Sequence, residues 1–414
     1  MTGTVEDIRG RFRDPNPAEL ELIAKYASLP SDQRRQRVFE AFAQSGLPHR
    51  RLEAWKWSDF RAALPSLQAS EEAKTVPLPR QNGAPLIAFR GTETELPTDL
   101  PKGISIHLRD QTQALGDAEE APLAALASAL GRRSPQLDTL IVEVAGKPDK
   151  PLHIEFDGDG TDTLFARVAI ILRPDAELEL IESHLGGAGF SSVLIEVGMQ
   201  GRGKLRRTLL QKGGRQDAQA ITSLVHLGEE SDYTQTALAF GAKVARLETR
   251  LTHQKPRSVA TLNAAYLCAD GYHADFTSHV RHGANNCVTR QTTKGAVMNG
   301  GRGVFQGKFH VPRDLGQHTD ADMQHQALLL EAGAEVFAKP ELEIYADDVE
   351  CAHGNTSGAL DPNQIFYLRQ RGLPLAQARA MLTEAFISEA LDEAEEQSRE
   401  QMIDAARDFL AGAA

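Results

Sequence analysis

The chain has 414 residues, of which 41% are hydrophobic and 25% charged, and its formal net charge is −12. These proportions are typical of a soluble globular protein, and the acidic balance argues against general binding to nucleic acid or to an anionic membrane surface. The sequence has no apolar run long enough to span a bilayer and no apolar core of a signal peptide near its start. We therefore expect a cytoplasmic protein with no membrane partner.

The N-terminal region, residues 1–80, is predicted to be helical and to end in a linker. Apolar residues recur near helical spacing within 17–62, Pro30-Ser31-Asp32 is a good helix start, and Gly46 is a good stop. Both tryptophans of the chain, Trp55 and Trp57, follow that glycine. Their simplest role is to anchor this segment to the rest of the protein.

Residues 81–361 are predicted to form a β core. From about 138 to 350, short runs of alternating apolar and polar residues are separated by Gly, Asp, Asn or Pro. Clear examples are 140–144, 152–156, 165–172, 176–181, 193–197, 205–210, 233–240, 246–252, 260–267 and 334–337. Such a long array with irregular turns fits a parallel β-helix better than a sandwich, whereas a barrel or a propeller stays open. A strand near 85–89 leads into the core, and a short helix is predicted within 118–131.

The C-terminal region, residues 362–414, is predicted to be helical again. A short helix stops at Gly372, a second covers Leu375 to Leu391, and an acidic helix begins near Asp392. A helical extension of this kind is either a cap on the last coil of the core or a device that docks a partner.

The cysteines and histidines are concentrated in one part of the core. All three cysteines (Cys268, Cys287 and Cys351) and eight of the thirteen histidines lie between His253 and His353. An odd and sparse set of cysteines makes a disulfide framework improbable and fits a reducing compartment. The clustering favours metal or proton chemistry in this window.

The most informative stretch is 340–358, which reads as a strand, a turn and then a break that begins at Cys351 and His353. If the extended conformation continues through both residues, their side chains share one face about 6.5–7 Å apart. A metal bound to both fits this spacing, but two ligands are fewer than the four of a closed site. The pair is then a half-site, completed by another chain or left open for transfer. The alternative is a buried structural cysteine beside an ordinary turn histidine.

These stretches together resemble the SufB/SufD family, the β-helical scaffold proteins of the SUF iron–sulfur cluster assembly system. The resemblance is densest over Gly303–His310, Thr319-Asp320, Leu328–Leu330, Lys339–Gly354 and Phe366–Gly372, and Gly46–Arg50 and Trp55–Trp57 are similar to the N-terminal segment of the family. Cys351-x-His353-Gly354 is closer to the SufD branch than to the SufB branch. Asn355 departs from the family, where Ala is usual, and Gln317-His318 stands where Lys is frequent.

The resemblance implies a non-enzymatic scaffold that contributes to iron loading or to nascent cluster formation. Its implied partners are a SufB-like scaffold, paired through the β-helix cores, and a SufC-like ABC-type ATPase, bound by the C-terminal helices. His353 would then be an iron or cluster ligand with Cys351 beside it, and the cluster would be transient and shared with the partner, with none tightly bound by the isolated chain. The ATPase-docking residues implied are Phe366, Tyr367, Arg371, Leu382 and Phe386.

Other functions stay open at this stage. Parallel β-helices also host polysaccharide-cleaving enzymes, but the adjacent carboxylates of Asp347 and Asp348 would point to opposite faces of a strand. A SufB-type scaffold that accepts sulfur itself is a further alternative, and the isolated chain is a candidate homodimer. Gly300–Gly303 lacks the Gly-Lys-Ser/Thr ending of a phosphate-binding loop, so we do not expect this chain to hydrolyse ATP.

Overall fold

Strands dominate the computed structural model, which describes residues 10–30, 32–68, 76–109, 121–131 and 139–412. About 43% of the chain is strand and 22% is helix. The strands are β1 (Leu86–Arg90), β2 (Glu93–Glu95), β3 (Ile104–Arg109), β4 (Thr139–Val144), β5 (Leu152–Asp157), β6 (Thr163–Leu172), β7 (Glu177–Leu185), β8 (Phe190–Met199), β9 (Lys204–Gly213), β10 (Ala218–Leu227), β11 (Asp232–Gly241), β12 (Val244–His253), β13 (Val259–Cys268), β14 (His273–His282), β15 (Val288–Val297), β16 (Arg302–Val311), β17 (Asp320–Leu329), β18 (Glu335–Ile344) and β19 (Glu350–Gly358).

The helices lie on either side of this array and at one point within it. They are α1 (Pro17–Ala27), α2 (Gln33–Ser45), α3 (Phe60–Ala63), α4 (Pro122–Leu130), α5 (Pro362–Gln370), α6 (Leu375–Ser388) and α7 (Glu396–Gly412), with short 3-10 turns at Glu53–Trp55 and Glu389–Leu391. The helices predicted near the N-terminus, within 118–131 and near the C-terminus are thus present, and α7 starts four residues after Asp392.

The strands wind into a solenoid of about eight turns made of two sheets. Sheet A contains β1, β2 and the odd strands from β5 to β19, and sheet B contains β3 and the even strands from β4 to β18. From β4 onward, every strand pairs in parallel with the strand two positions along the chain. The two antiparallel pairs, β1 with β2 and β3 with β4, lie at the N-terminal end. The predicted parallel β-helix is confirmed, and the barrel and the propeller are excluded.

One corner of the solenoid repeats with a fixed backbone geometry. Its residues all have positive φ values, between 55° and 62°, although none of them is glycine: Asp175, Arg202, Glu230, Arg257, Asn286 and His318. Each donates its backbone N–H to a carbonyl at the corner of the next coil, as Arg202 does to Glu229 at 2.7 Å and Asn286 does to Gln317 at 2.8 Å. The corner therefore forms a hydrogen-bonded ladder that runs along the solenoid.

The interior of the solenoid is mostly apolar but contains one ionic cluster. Leu, Ile, Val and Phe side chains from both sheets fill it. Among them Arg207 is fully buried and donates to both carboxylate oxygens of Glu182, at 2.6 and 2.9 Å, and to Ser223 and Gln235. His184 lies 3.0 Å from Glu182. We name Arg207, Glu182, His184, Ser223 and Gln235 the interior ionic cluster.

The N-terminal helices pack against the outer face of sheet B together with α4. Apolar residues of α1, α2 and α4 form one cluster with Phe190, Ala218 and Val244 of that sheet. The segment between α2 and α3 is fixed by Arg246, whose guanidinium lies 3.8 Å from the centre of the Trp55 ring and donates to the carbonyl of Ala54. Trp57 stacks on Phe337 of β18. Both tryptophans therefore contact the solenoid.

The C-terminal helices α6 and α7 pack on the opposite side, against the outer face of sheet A. Ile387, Leu391, Met402 and Leu410 are buried against residues of β7 to β17, such as Leu238. These two helices run alongside the coils and do not cover the last coil of the solenoid. The interpretation of the C-terminal helices as a cap is therefore wrong. Among the described residues, no helix combines the length and the apolar character needed to cross a membrane.

Candidate functional site

Cys351 and His353 both lie in β19, the last strand of sheet A. The predicted break at these residues is wrong, because β19 stays paired with β17 from Glu350 to Gly358. The turn comes earlier, between the end of β18 at Ile344 and Glu350. The ladder to β17 holds this glycine-containing stretch in the extended conformation, so the condition for a shared face is met.

The site faces the interior of the solenoid. Cys351 is half-buried and packs against the interior core. Asn355 Oδ1 lies 2.7 Å from Nδ1 of the buried His325, so Asn355 also points inward. Because alternate residues of a strand share one face, His353, which lies between them, projects in the same direction.

This face is open because β18 and β19 end their sheets. Within the described part of the chain, each of them pairs with another strand on one side only. His353 is exposed, and half-buried apolar side chains of β18, among them Val336, Ala338 and Leu342, border the same end of the core. Cys351 and His353 therefore lie on an uncovered end of the solenoid, which we name the open end.

The chemistry of the two side chains suits iron or an iron–sulfur cluster. Thiolate and imidazole are both established ligands of such centres. Burial, with a smaller effect of the Asp320 carboxylate, raises the pKa of the Cys351 thiol, so metal binding there releases a proton. Within the described ranges no three or more His, Cys, Asp or Glu side chains come together as a metal site, so this face offers at most an incomplete set of ligands.

The residues predicted to dock an ATPase separate into two groups. Phe366 and Tyr367 of α5 are 65% and 57% exposed, and Arg371 covers the Tyr367 ring and donates to its hydroxyl at 3.0 Å. Leu382 of α6 is half-buried. Phe386 instead faces the solenoid, where Lys294 Nζ lies 4.6 Å from the centre of its ring.

The sequence reasoning missed the polar chain behind the site. The imidazole of the buried His325 joins Tyr266 of β13 to Asn355 of β19. The one signal available was the presence of Asn355 where the family usually has Ala.

The fold and the site define a β-solenoid protein whose open end carries a cysteine and a histidine on one face of its last strand. Residues 155–386 match the family model described as SUF system FeS cluster assembly, SufBD core domain. The chain belongs to this family and is SufD-like.

Relatives of similar length support the assignment. The chain is 26% identical to the iron-sulfur cluster assembly protein SufD of Escherichia coli, covering 89% of this chain and 90% of the relative. It is also 26% identical to Protein ABCI7, chloroplastic, of Arabidopsis thaliana, covering 94% and 90%. An iron-sulfur cluster assembly SufBD family protein of Synechocystis is 25% identical, with 87% and 86% covered.

Proposed function

We propose that this chain is a non-enzymatic scaffold subunit of the SUF system that helps to load iron or to form a nascent iron–sulfur cluster. The observation that carries the proposal is the inward-facing Cys351 and His353 pair at the open end, in a chain of the SufBD family. The cluster is the cargo of this site and is held transiently.

A second scaffold of the same family is the proposed partner at the open end. Two side chains are too few to close a metal site, so further ligands must come from elsewhere. The unpaired edges of β18 and β19, together with the half-buried apolar residues of β18, suit a protein that covers this end. A second copy of this chain would take the same place in a homodimer of the isolated protein.

An ABC-type ATPase is the proposed partner of the C-terminal helices. No residue of α5 is buried, and the two adjacent aromatic side chains of this helix are exposed. Large exposed aromatics with an arginine beside them are typical anchors of protein interfaces. We assign Phe366, Tyr367 and Arg371 to this contact, with Leu382 at its margin, whereas Phe386 holds α6 on the solenoid.

The family assignment favours this function over the alternatives. Relatives that match over most of both chains carry names of iron-sulfur cluster assembly proteins. Asp347 and Asp348 lie in the exposed turn before β19, and Asp348 pairs with His318 at 2.9 Å, which gives no support to a polysaccharide-cleaving dyad. A cytoplasmic location remains part of the proposal.

Cluster assembly in the reconstituted complex tests the role of the open end. The tagged chain is purified with the ABC-type ATPase and the second scaffold of its host, and cluster formation from Fe²⁺ and sulfide is followed by visible absorption without oxygen. We expect His353→Ala to abolish cluster formation while the three proteins still copurify. His310→Ala is the control, because this histidine of β16 follows the inward-facing Phe309 and so points to the outer face. Normal assembly by His353→Ala would refute the ligand assignment.

Copurification tests the docking of the ATPase. We expect the double change Phe366→Ala and Tyr367→Ala to weaken ATPase binding at least about tenfold, because hot-spot aromatics carry 2 kcal/mol or more each, while the second scaffold still binds. Tyr345→Ala, an exposed aromatic of the β18–β19 turn, should leave ATPase binding unchanged. Wild-type affinity of the double variant for the ATPase would show that these residues of α5 do not form the contact.

A further inference from the structure

Asn355 extends the site along β19. It lies two residues after His353 on the same inward face, about 6.5–7 Å further along the strand. Its side-chain oxygen points to the interior, where it lies 2.7 Å from His325 Nδ1. Within the described part of the chain, the amide nitrogen of Asn355 makes no hydrogen bond, so its two N–H groups remain available at the open end.

The hydrogen bonds behind Asn355 fix which way its amide points. An amide oxygen at His325 Nδ1 requires a proton on that nitrogen. In the neutral imidazole Nε2 is then unprotonated and accepts a hydrogen bond. Tyr266 provides it, with its hydroxyl oxygen 3.0 Å from Nε2. Burial lowers the pKa of His325, although the hydrogen bond to Asn355 opposes this, and a neutral imidazole is the form that this arrangement needs. The three residues are therefore joined by successive hydrogen bonds with a defined donor direction, from Tyr266 through His325 to Asn355.

Close packing restricts the side-chain conformations of Tyr266 and His325. The His325 ring stacks on Phe305 with centroids 4.7 Å apart and planes 2° from parallel. Tyr266 lies across Gly295 of β15 and Gly303 of β16, and a Cβ at either glycine would overlap its ring. Tyr266, on β13, thereby reaches past β15 to His325 on β17. Tyr266 and His325 are both fully buried.

We propose that Asn355 is a hydrogen-bond donor of the site, whose Nδ2–H groups bind a sulfur atom, inorganic sulfide or thiolate, held next to His353. Tyr266 and His325 are positioning residues that orient the amide. Anionic sulfur accepts hydrogen bonds, and such bonds raise the reduction potential of a cluster and help to retain it. This inference rests on the function proposed above, because it needs a sulfur-containing cargo at the open end.

The test uses the complex with both partners, loaded with Fe²⁺ and sulfide, and measures the reduction potential of the cluster and the rate at which a chelator removes its iron. Asn355→Asp keeps the acceptor for His325 but removes both N–H donors, and Asn355→Ala removes the whole amide. We expect both variants to shift the potential to more negative values and to lose iron about tenfold faster. Thr356→Ala, whose side chain points to the outer face, is the matched control.

Tyr266→Phe tests the positioning role, because it keeps the ring between the glycines and removes only the hydroxyl. We expect a smaller shift of the potential in the same direction, which a merely structural role would not cause. A wild-type potential and iron-release rate in both Asn355 variants would overturn the inference and leave the proposed function intact. Failure of the wild-type complex to form any cluster would overturn both.

Discussion

At the scale of single residues, the interior ionic cluster is a feature on which folding stability depends. The Glu182 carboxylate and the Arg207 guanidinium are completely buried, so neither is stabilised by water. Burial raises the pKa of Glu182, but the charge of Arg207 and the hydrogen bonds from His184 and Arg207 outweigh it and hold this pKa at about 2. Each charge of the pair is tolerated only because the other is present.

Removal of one charge of this pair should therefore strongly lower the free energy of unfolding. We expect Glu182→Ala to lower the free energy of unfolding by about 3–5 kcal/mol, because it leaves the Arg207 charge buried without compensation. The measurement is urea unfolding followed by circular dichroism at neutral pH.

Two variants control this experiment. Glu182→Gln keeps a hydrogen-bond acceptor for Arg207 and should lose less stability than Glu182→Ala. Lys147→Ala removes one partner of an exposed ion pair with Glu177 and should leave the unfolding midpoint unchanged. An equal, small effect of Glu182→Ala and Lys147→Ala would mean that the Arg207 charge finds another partner or reaches water.

The sequence predicted part of the site and could not predict the rest. Cys351 and His353 were accessible because two potential ligands at a spacing of two fit one face of a strand. The involvement of Tyr266 and His325 was not accessible, because these residues are 59 positions apart and meet only through the register of three strands. Local spacing carries no information on that register.

At the scale of elements, Trp55 helps to attach the segment that joins α2 to α3 to sheet B. This side chain is buried between Phe60 and the guanidinium of Arg246. Arg246 is itself paired with Glu248 and Asp275, and Ser58 donates to Asp275 at 2.5 Å. Loss of the indole would uncover a buried charge as well as apolar surface.

We expect Trp55→Ala to lower the free energy of unfolding by about 3–5 kcal/mol and to make residues 46–58 sensitive to proteases. Trp57→Ala is the matched control, because Trp57 is half-buried and stacks on Phe337 without contacting a buried charge among the described residues. This variant should lose about 1 kcal/mol. Urea unfolding and limited proteolysis measure the two effects. Similar losses in the two variants would show that Arg246 does not depend on the Trp55 ring.

The strands differed in how well they could be predicted. Strands with clean alternation, such as β4 and β5, lie where the pattern placed them. Several others, including β10, β14 and β17, were not individually recognised. Their buried positions include Gln219, Thr222 and Ser223 in β10, and polar residues on buried positions hide the alternation on which such a prediction depends.

At the scale of the whole molecule, the buried histidines contribute to the response to acid between pH 4 and 6.5. Burial lowers the pKa of His153, His273, His279 and His282 to about 4 each. The unfolded chain, with histidine pKa values near 6.5, binds more protons than the folded one between pH 4 and 6.5. The stability contributed by these groups is therefore present above about pH 6.5 and is lost as the pH falls towards 4. Glu179 opposes this weakly, since burial raises its pKa to about 7.

We expect the urea midpoint to fall steadily from pH 6.5 to pH 4, and His153→Leu to make that fall less steep. One histidine contributes up to about 1.4 kcal/mol per pH unit in this interval. The variant His107→Leu, which replaces an exposed histidine, is the control and should leave the slope unchanged. A midpoint independent of pH in the wild-type chain would contradict the assignment of these histidines as buried and neutral.

The repeat of the solenoid could not be predicted from the sequence, because it is defined by backbone geometry and not by a recurring residue. The register pairs Glu177 with Lys204 and Val288 with Asp320, which are separations of 27 and 32 positions. The corner residues that mark each coil are of five different types and none is glycine. Neither a constant period nor a constant residue was available, so the β-helix had to be inferred from the strand array and the family resemblance.

The corner ladder makes the stability of each coil depend on its neighbours. Each corner is hydrogen-bonded only to its neighbouring coils, so the stability of a coil depends on how many neighbours it has. The terminal coil has one neighbour, and it is the coil that carries Cys351 and His353. Amide protons of β19 should therefore exchange with solvent sooner than those of the central strands. If the proposed function is right, loosening of this one strand would let a metal centre enter or leave while the remaining coils stay folded.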